Sequence, residues 1–156
     1  MALNARGDRT VITNRRARHE YFVEDVFEAG IVLKGSEVKS IRNSRANLQD
    51  AYARLIDGEV WLFGMHVSPY EYAHTERPEP VRERKLLLNR REINELAKAT
   101  QEKGITLVPL KVYFVDGRAK VELAVARGKA RYDKRQVLAE RDAKRETERA
   151  MKGIRE

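Results

Sequence analysis

The chain has 156 residues, no cysteine, and 32 lysines and arginines against 24 acids, for a formal net charge of +8. The length suits one large domain or a domain with a tail, the missing cysteine excludes disulfide and thiolate chemistry, and no apolar run approaches the ~20 residues of a membrane-spanning helix. A basic surface of this size favours a polyanion, with nucleic acid ahead of anionic membrane.

Residues 1–18 hold five arginines against one acid, Asp8. They lack the apolar core of a secretory signal, and with no cysteine in the chain this fits a cytoplasmic protein. The segment reads as an extended basic arm, able to dock as an edge strand through Val11 and Ile12, with Arg15, Arg16 and Arg18 facing phosphates. Tyr21–Phe27, rich in aromatic and β-branched residues, is the first strand. Glu28-Ala29-Gly30 interrupts it before Ile31-Val32-Leu33, and Gly30 predicts a bulge or bend. A helix over 36–43 follows, with Ser36 as N-cap and Glu37 in the first turn, where the dipole favours an acid. Val38 and Ile41 would face the core while Lys39 and Arg42 point elsewhere.

Ala51–Ile56, Asp57-Gly58 and Glu59–Gly64 form a hairpin pattern, because Asp-Gly suits a type I′ turn. Residues 67–84 read as a long irregular loop with three prolines, Tyr70, Tyr72 and His74. Lys85-Leu86-Leu87-Leu88 leads to a helix capped by Asn89 with Glu92 three residues on, a capping box. Ile93, Leu96, Ala97 and Thr100 share one face, and Gly104 ends the helix. A second hairpin runs Ile105–Val115, Asp116-Gly117, Arg118–Ala126. Its return strand alternates apolar and charged residues, as in a sheet wet on one side. Pro109 predicts an edge or a bulge.

From Arg127 the composition changes: residues 127–156 hold 11 lysines and arginines against 6 acids. Large apolar residues are too few there to offset ordering entropy. The expected division is 1–127, a barrel with a short basic arm, and 128–156, a basic tail disordered when free and helical against a partner. The element order, three strands, a helix and two strands, fits a mainly β fold: an OB-type Greek-key β-barrel with flanking helices. An α+β roll built from the same hairpins is the competing architecture.

Enzymatic chemistry finds little support. His19, His66 and His74 are not at metal-ligand spacing, and neither a phosphate-binding loop nor a nucleophile elbow is present. Glu24, Asp25 and Glu28 read as solvated acids. His19 and Glu20, taken as neighbours on a strand, would point to opposite faces and form no nuclease dyad. No cofactor or metal is expected.

Three motifs occur together: Asn14-Arg15-Arg16-Ala17-Arg18-His19-Glu20-Tyr21-Phe22 running on to Gly35-Ser36-Glu37-Val38-Lys39-Ser40-Ile41-Arg42; Arg84-Lys85-Leu86-Leu87-Leu88-Asn89; and Gly128-Lys129-Ala130-Arg131-Tyr132-Asp133-Lys134-Arg135. Jointly they resemble the bacterial tmRNA-binding, or SsrA-binding, protein family (small protein B) over nearly the whole chain. The resemblance implies a non-enzymatic adaptor for the tRNA-like domain of tmRNA, acting at the decoding centre and message channel of the small ribosomal subunit in trans-translation. Elongation factor Tu and alanyl-tRNA synthetase would be indirect partners through the charged RNA. It implies RNA contacts at Asn14, His19, Glu28, Leu87 and Asn89, with His19 facing the decoding centre. Arg16, Arg18, Lys39, Arg42, Lys129, Arg131 and Tyr132 complete the expected RNA-binding set. Asp133, Lys134, Arg135, Lys144, Arg145, Met151 and Lys152 make up the expected ribosome-binding tail. Asn89, Leu87 and Glu28 also have purely structural readings, as a cap, core and a turn acid. Ala130 replaces the family's usual lysine and removes one phosphate contact. A general single-strand-binding or ribosomal OB protein is the alternative, and a nuclease using His19 the third.

Overall fold

Local turn chemistry and long strands set the architecture. The computed structural model describes residues 9–70 and 78–129. In chain order the elements are β1 (Arg9–Thr13), α1 (Arg15–Glu20), β2 (Tyr21–Ile31), α2 (Gly35–Arg42), β3 (Ala46–Asn47), β4 (Tyr52–Ile56), β5 (Glu59–Phe63), β6 (His66–Val67), β7 (Arg84–Leu87), α3 (Arg90–Thr100), β8 (Ile105–Val115) and β9 (Arg118–Gly128). The fold is mainly β with few helices.

Both expected hairpins form. Asp57 and Gly58 have φ of 52° and 76°, and Asp116 and Gly117 of 49° and 76°, the positive pair that a type I′ turn requires. The main sheet runs β1-β8-β4-β5-β7-β2-β9, and β9 pairs back onto β8, so the ladder from β8 returns to β8. Long β8 divides one edge between two neighbours, β4 at Leu107 and β1 from Lys111 to Phe114. The β8–β9 register shifts between Pro109 and Lys111, the bulge that a proline without a ladder donor predicts. Inside lie Val60, Leu62, Leu86, Leu107, Val121 and Leu123, joined by Ile41 from α2 and by Ile93 and Leu96 from α3. A smaller apolar cluster lies on the other face of β8–β9, where Ala17 of α1 meets Val108, Leu110, Ala124 and Ala126, with Tyr21 against it.

Several expectations need correction. The basic arm does dock as an edge strand, β1 on β8, but residues 15–20 are helical rather than extended, so His19 and Glu20 are helix neighbours. The lower part of the β8–β9 outer face is therefore dry, covered by α1. β2 is one continuous strand, and its bulge falls between Val23 and Asp25. Gly30 stays in register, opposite Leu87 and Lys120. A Cβ on Gly30 would lie 3.3 Å from the Leu87 Cβ, so glycine admits β7 at close range. The N-cap of α2 is Lys34, not Ser36. Lys34 N–H donates to Glu37 Oε1 at 2.9 Å, while the Ser36 hydroxyl is buried without a partner among the described residues. Glu37, not Val38, turns inward with Ile41. The expected loop 67–84 contains the end of β6 and opens β7. Tyr72, His74, Ala130, Arg131, Tyr132, Asp133, Lys134, Arg135, Lys144, Arg145, Met151 and Lys152 lie outside the described residues.

Candidate nucleic-acid interface

α1 is a short helix with one buried residue, Ala17, and it is fixed chiefly at its start. Asn14 is only 4% exposed. Its Oδ1 accepts from Ala17 N–H at 3.1 Å, capping the helix, while its Nδ2 donates to Leu48 O at 3.0 Å and Pro109 O at 2.9 Å. The amide thus ties α1 to the β8 bulge and to the segment before β4. Its side chain is not open to an RNA; its place in the structure is that of a positioning group.

Arg15, Arg16, Arg18 and His19 project from α1 into solvent. Arg16 is held by Glu20 at 2.7 Å and Asp50 at 3.2 Å, and the Glu20 hydrogen bond, with its charge, raises the guanidinium pKa. These three residues line a groove of about 380 Å³ with Tyr21, Tyr52 and Thr106. Arg18 has no carboxylate at ion-pair distance among the described residues. Lys129 Nζ donates to the Arg18 carbonyl at 3.1 Å and lies 5.1 Å from the Phe22 ring centroid. It closes the C-terminal end of α1, where a cation suits the helix dipole.

The same outer face continues upward across β7, β2, β9 and β8. Pairing sets Leu87, Gly30, Lys120 and Tyr113 in one transverse row. The next row holds Glu28, Glu122 and Lys111. Tyr113 O–H donates to Glu28 Oε2 at 2.6 Å, and Lys111 neutralises Glu122 at 3.0 Å. Because β7 is antiparallel to β2, the chain passes from Leu87 towards the Glu28 side and reaches Asn89. There Asn89 Oδ1 accepts from Glu92 N–H at 2.9 Å, and Glu92 Oε1 accepts from Asn89 N–H at 3.3 Å.

Lys39 and Arg42 sit elsewhere, on α2, which packs on β1 and β6. Lys39 stands 5.2 Å from the Tyr70 ring centroid and Arg42 the same distance from that of Phe114. Beneath α2 lies an ion cluster. Fully buried Arg84 donates through Nε and Nη2 to Glu37 Oε2 at 2.8 and 2.6 Å, through Nη1 to Met65 O at 2.8 Å and Arg82 O at 3.1 Å, and through Nη2 to Pro80 O at 3.1 Å. Arg82 binds Glu37 as well. The cluster ties α2 to the head of β7, and so locates Leu87 and Asn89. Arg127 joins Glu24 of β2 to Glu102 beyond α3. Among the described residues no group of three or more metal-ligating side chains stands together, and no described helix is long and apolar enough to cross a membrane.

A family model described as SmpB protein matches residues 11–153. The chain belongs to the SmpB protein family. It is 57% identical over 146 residues to the SsrA-binding protein of Desulforudis audaxviator (strain MP104C), covering 94% of this chain and 95% of that protein. It is 56% identical over 143 residues to the SsrA-binding protein of Desulfitobacterium hafniense (strain DSM 10664 / DCB-2), covering 92% of each. A solved chain described as "tmRNA-SmpB: a journey to the center of the bacterial ribosome" matches with a TM-score of 0.66 and 47% identity, over 78% of this chain and 85% of that one.

In this member of the SmpB family the expected site residues among those described fall into three surface groups, with Asn14 apart. Arg16, Arg18, His19 and Lys129 gather at α1. Glu28, Leu87 and Asn89 gather on the adjoining outer face of the sheet. Lys39 and Arg42 belong to α2, and Asn14 to the interior. Tyr113, Lys111 and Lys120 share the Glu28 surface and were absent from the expected set. The alternation of β9 carries the signal for Lys120, but the Tyr113–Glu28 contact spans 85 residues of sequence and leaves no local trace.

Proposed function

We propose that this chain is an RNA-binding adaptor that binds the tRNA-like domain of tmRNA (SsrA RNA) and delivers it to stalled ribosomes for trans-translation, so that the nascent peptide is tagged and the ribosome released. The observation that carries the reading is the match to the SmpB family over residues 11–153, with relatives named SsrA-binding protein along nearly their full length. The net charge of +8 supports a polyanionic partner. The returning strand ladder, with α3 between β7 and β8, supports an OB-type barrel, a fold used for nucleic-acid binding.

The RNA contacts in this reading are Arg16, Arg18, His19, Glu28, Leu87, Asn89 and Lys129. Asn14 acts through α1, and Lys39 and Arg42 form a second cationic surface. Arg131 and Tyr132 extend the RNA-binding set. The segment 128–156, with Asp133, Lys134, Arg135, Lys144, Arg145, Met151 and Lys152, engages the small subunit's message channel near the decoding centre. Elongation factor Tu and alanyl-tRNA synthetase meet the complex through the RNA. The work is done in the cytoplasm, and it is recognition and delivery, with no chemical step assigned to this chain.

The test compares affinity for an RNA with a tRNA-like acceptor and elbow against a plain single strand of equal length at matched salt. A clear preference for the tRNA-like RNA is expected. Equal affinity would favour a general single-strand-binding protein instead.

A further inference from the structure

The last strand ends at a corner where four elements meet. Arg127 of β9 lies between Phe22 of β2 and Ile105 of β8, while Gly128 is paired with Tyr21 alone. Tyr21 follows directly on α1, so the chain leaves the sheet beside the last turn of that helix, which carries His19. Ala126 is buried against α1, and Arg127, one residue on, turns to the opposite face. There its guanidinium donates through Nε to Glu24 of β2 and through Nη2 to Glu102, in the connection between α3 and β8.

Two acids on one arginine make a poor phosphate site, because the local charge is negative. The arrangement suits a clamp, since its three side chains span β2, β9 and the α3–β8 connection. Lys129 is held independently. Its Nζ donates to the Arg18 carbonyl at 3.1 Å and stands 5.1 Å from the ring centroid of Phe22, within cation–π range. Phe22 is also the cross-strand partner of Arg127, so one ring links the two holds. The side chains of Arg127, Glu24 and Glu102 are 27%, 41% and 61% exposed, and ion pairs this open add little to global stability. The end of a strand, however, opens at almost no cost. Small increments therefore decide whether this one is closed.

We infer that Glu24, Arg127 and Glu102 are positioning residues for the segment beyond residue 129: they hold the end of β9 closed, so that this segment starts from a fixed point beside α1. The inference rests on the adaptor reading, in which the segment 128–156 engages the message channel. A fixed start means that placing the body also places the first residues of that segment. The freedom they would lose on docking is already lost on folding, which lowers the cost of binding. A frayed β9 would free residues 127–129 as well and widen the volume that the segment must search.

The chain has no native cysteine, so a pair of spin labels can be attached through Arg118→Cys, at the exposed far end of β9, and Ala130→Cys, just past the clamp. Interspin distances are measured by pulsed electron resonance on the full chain in this background, alone, with Arg127→Gln, and with Glu24→Gln and Glu102→Gln together. A narrow distribution is expected in the background alone. Either change should broaden it, by about 11 Å where residues 127–130 all come free, the spread of a flexible chain of that length. Arg127→Lys, which reaches one acid at a time, should fall between. Without labels, Arg127→Gln and the double glutamine variant should each reduce peptide tagging on stalled ribosomes about five-fold, the upper end of what exposed ion pairs control. Their affinity for a tRNA-like RNA and their denaturant midpoints should not fall. The two changes alter net charge in opposite directions, so a shared loss of tagging is not an effect of charge. A distribution already broad in the background, or one that neither change moves, would overturn the clamp. So would full tagging by a protein whose distribution has broadened, or a loss of RNA affinity that matches the loss of tagging. The distances are read without RNA, so failure of the adaptor reading shows separately, as no preference of the unaltered protein for the tRNA-like RNA over a plain single strand.

Discussion

Glu37 in the first turn of α2 and Arg84 at the head of β7 form an ion pair inside the protein, Nη2 to Oε2 at 2.6 Å, with 2% and 0% of their side chains exposed. All the guanidinium N–H directions of Arg84 meet oxygen, so its burial is compensated. Removing one partner strands the other charge in the interior. Arg84→Met should lower the unfolding free energy by about 3–5 kcal/mol, and Glu37→Gln by a comparable amount. The double variant should lose clearly less than the sum, because no charge is then left unpaired between these two. Denaturant titration of the four proteins in a double-mutant cycle measures the coupling. Additive losses would show that the pair is energetically idle.

The same cluster sets an acid limit. Burial alone pushes the Glu37 carboxyl up, but hydrogen bonds from Arg82, the Lys34 N–H and Arg84 outweigh it and leave the carboxyl below its ordinary value of 4.5. For Arg84, burial pushes the guanidinium down while Glu37 pulls it up, and it stays protonated throughout. A carboxylate depressed by folding binds protons more readily in the unfolded chain. Its stabilisation is therefore complete above pH 4.5 and is lost as pH falls from there through the folded-state value. The stability gap between the unaltered protein and Glu37→Gln should be constant at neutral pH and close on acidification, as read by denaturant midpoints across pH.

Asn14 makes a prediction that separates a cap from a clip. Asn14→Ala removes the acceptor for Ala17 N–H and the donors for Leu48 O and Pro109 O, and should cost about 3 kcal/mol. Asn14→Asp keeps a good N-cap acceptor. If capping were the whole role, aspartate would be nearly neutral. Because the oxygen in place of Nδ2 would face two carbonyls, it should destabilise at least as much as alanine. Thermal unfolding of both variants checks this.

Gly64 should tolerate no side chain. Its φ is 76°, and a Cβ there would lie 2.5 Å from the Asp50 carbonyl oxygen, a backbone atom that cannot swing aside. Left-handed strain alone costs about 1–3 kcal/mol. Gly64→Ala should lose more than that, because the end of β5 would be pushed away from the segment that carries Asp50 and, through it, Arg16. The loss is measurable by denaturant unfolding.

How much of this was legible in the sequence depended on the range of the forces. The Asp-Gly turns and the Asn89–Glu92 capping box are complete within four residues, and both hairpins and α3 were readable. α1 was not, because it has one buried side chain and depends on an amide bonded to residues 34 and 95 positions away. β7 begins with a buried arginine, so a strand start looked like loop charge. Glu37 resembled a dipole acid, since its partners lie 45 and 47 residues on. At the candidate site, motif likeness singled out Glu28, Leu87 and Asn89, which share one face. It offered Asn14 as an open amide, which the interior consumes, and it missed Tyr113, which only tertiary pairing brings to Glu28.

The two arginines of α1 should differ in what they give to RNA. Each phosphate neutralised by a cation releases counterions and steepens the dependence of log K on log salt. Arg18 is exposed with no carboxylate at ion-pair distance among the described residues, whereas Arg16 is already matched by Glu20 and Asp50. Moving Arg16 onto a phosphate means giving up those contacts and bringing two acids towards the RNA. Arg18→Ala should therefore reduce the salt slope for the tRNA-like RNA by about one, and Arg16→Ala by less than about half of that. Binding isotherms at four or five salt concentrations separate the two variants. If the slopes fell equally, the Glu20–Arg16–Asp50 bridge would have to open when RNA binds. Asp50→Asn, which loosens Arg16 without removing it, should then raise affinity.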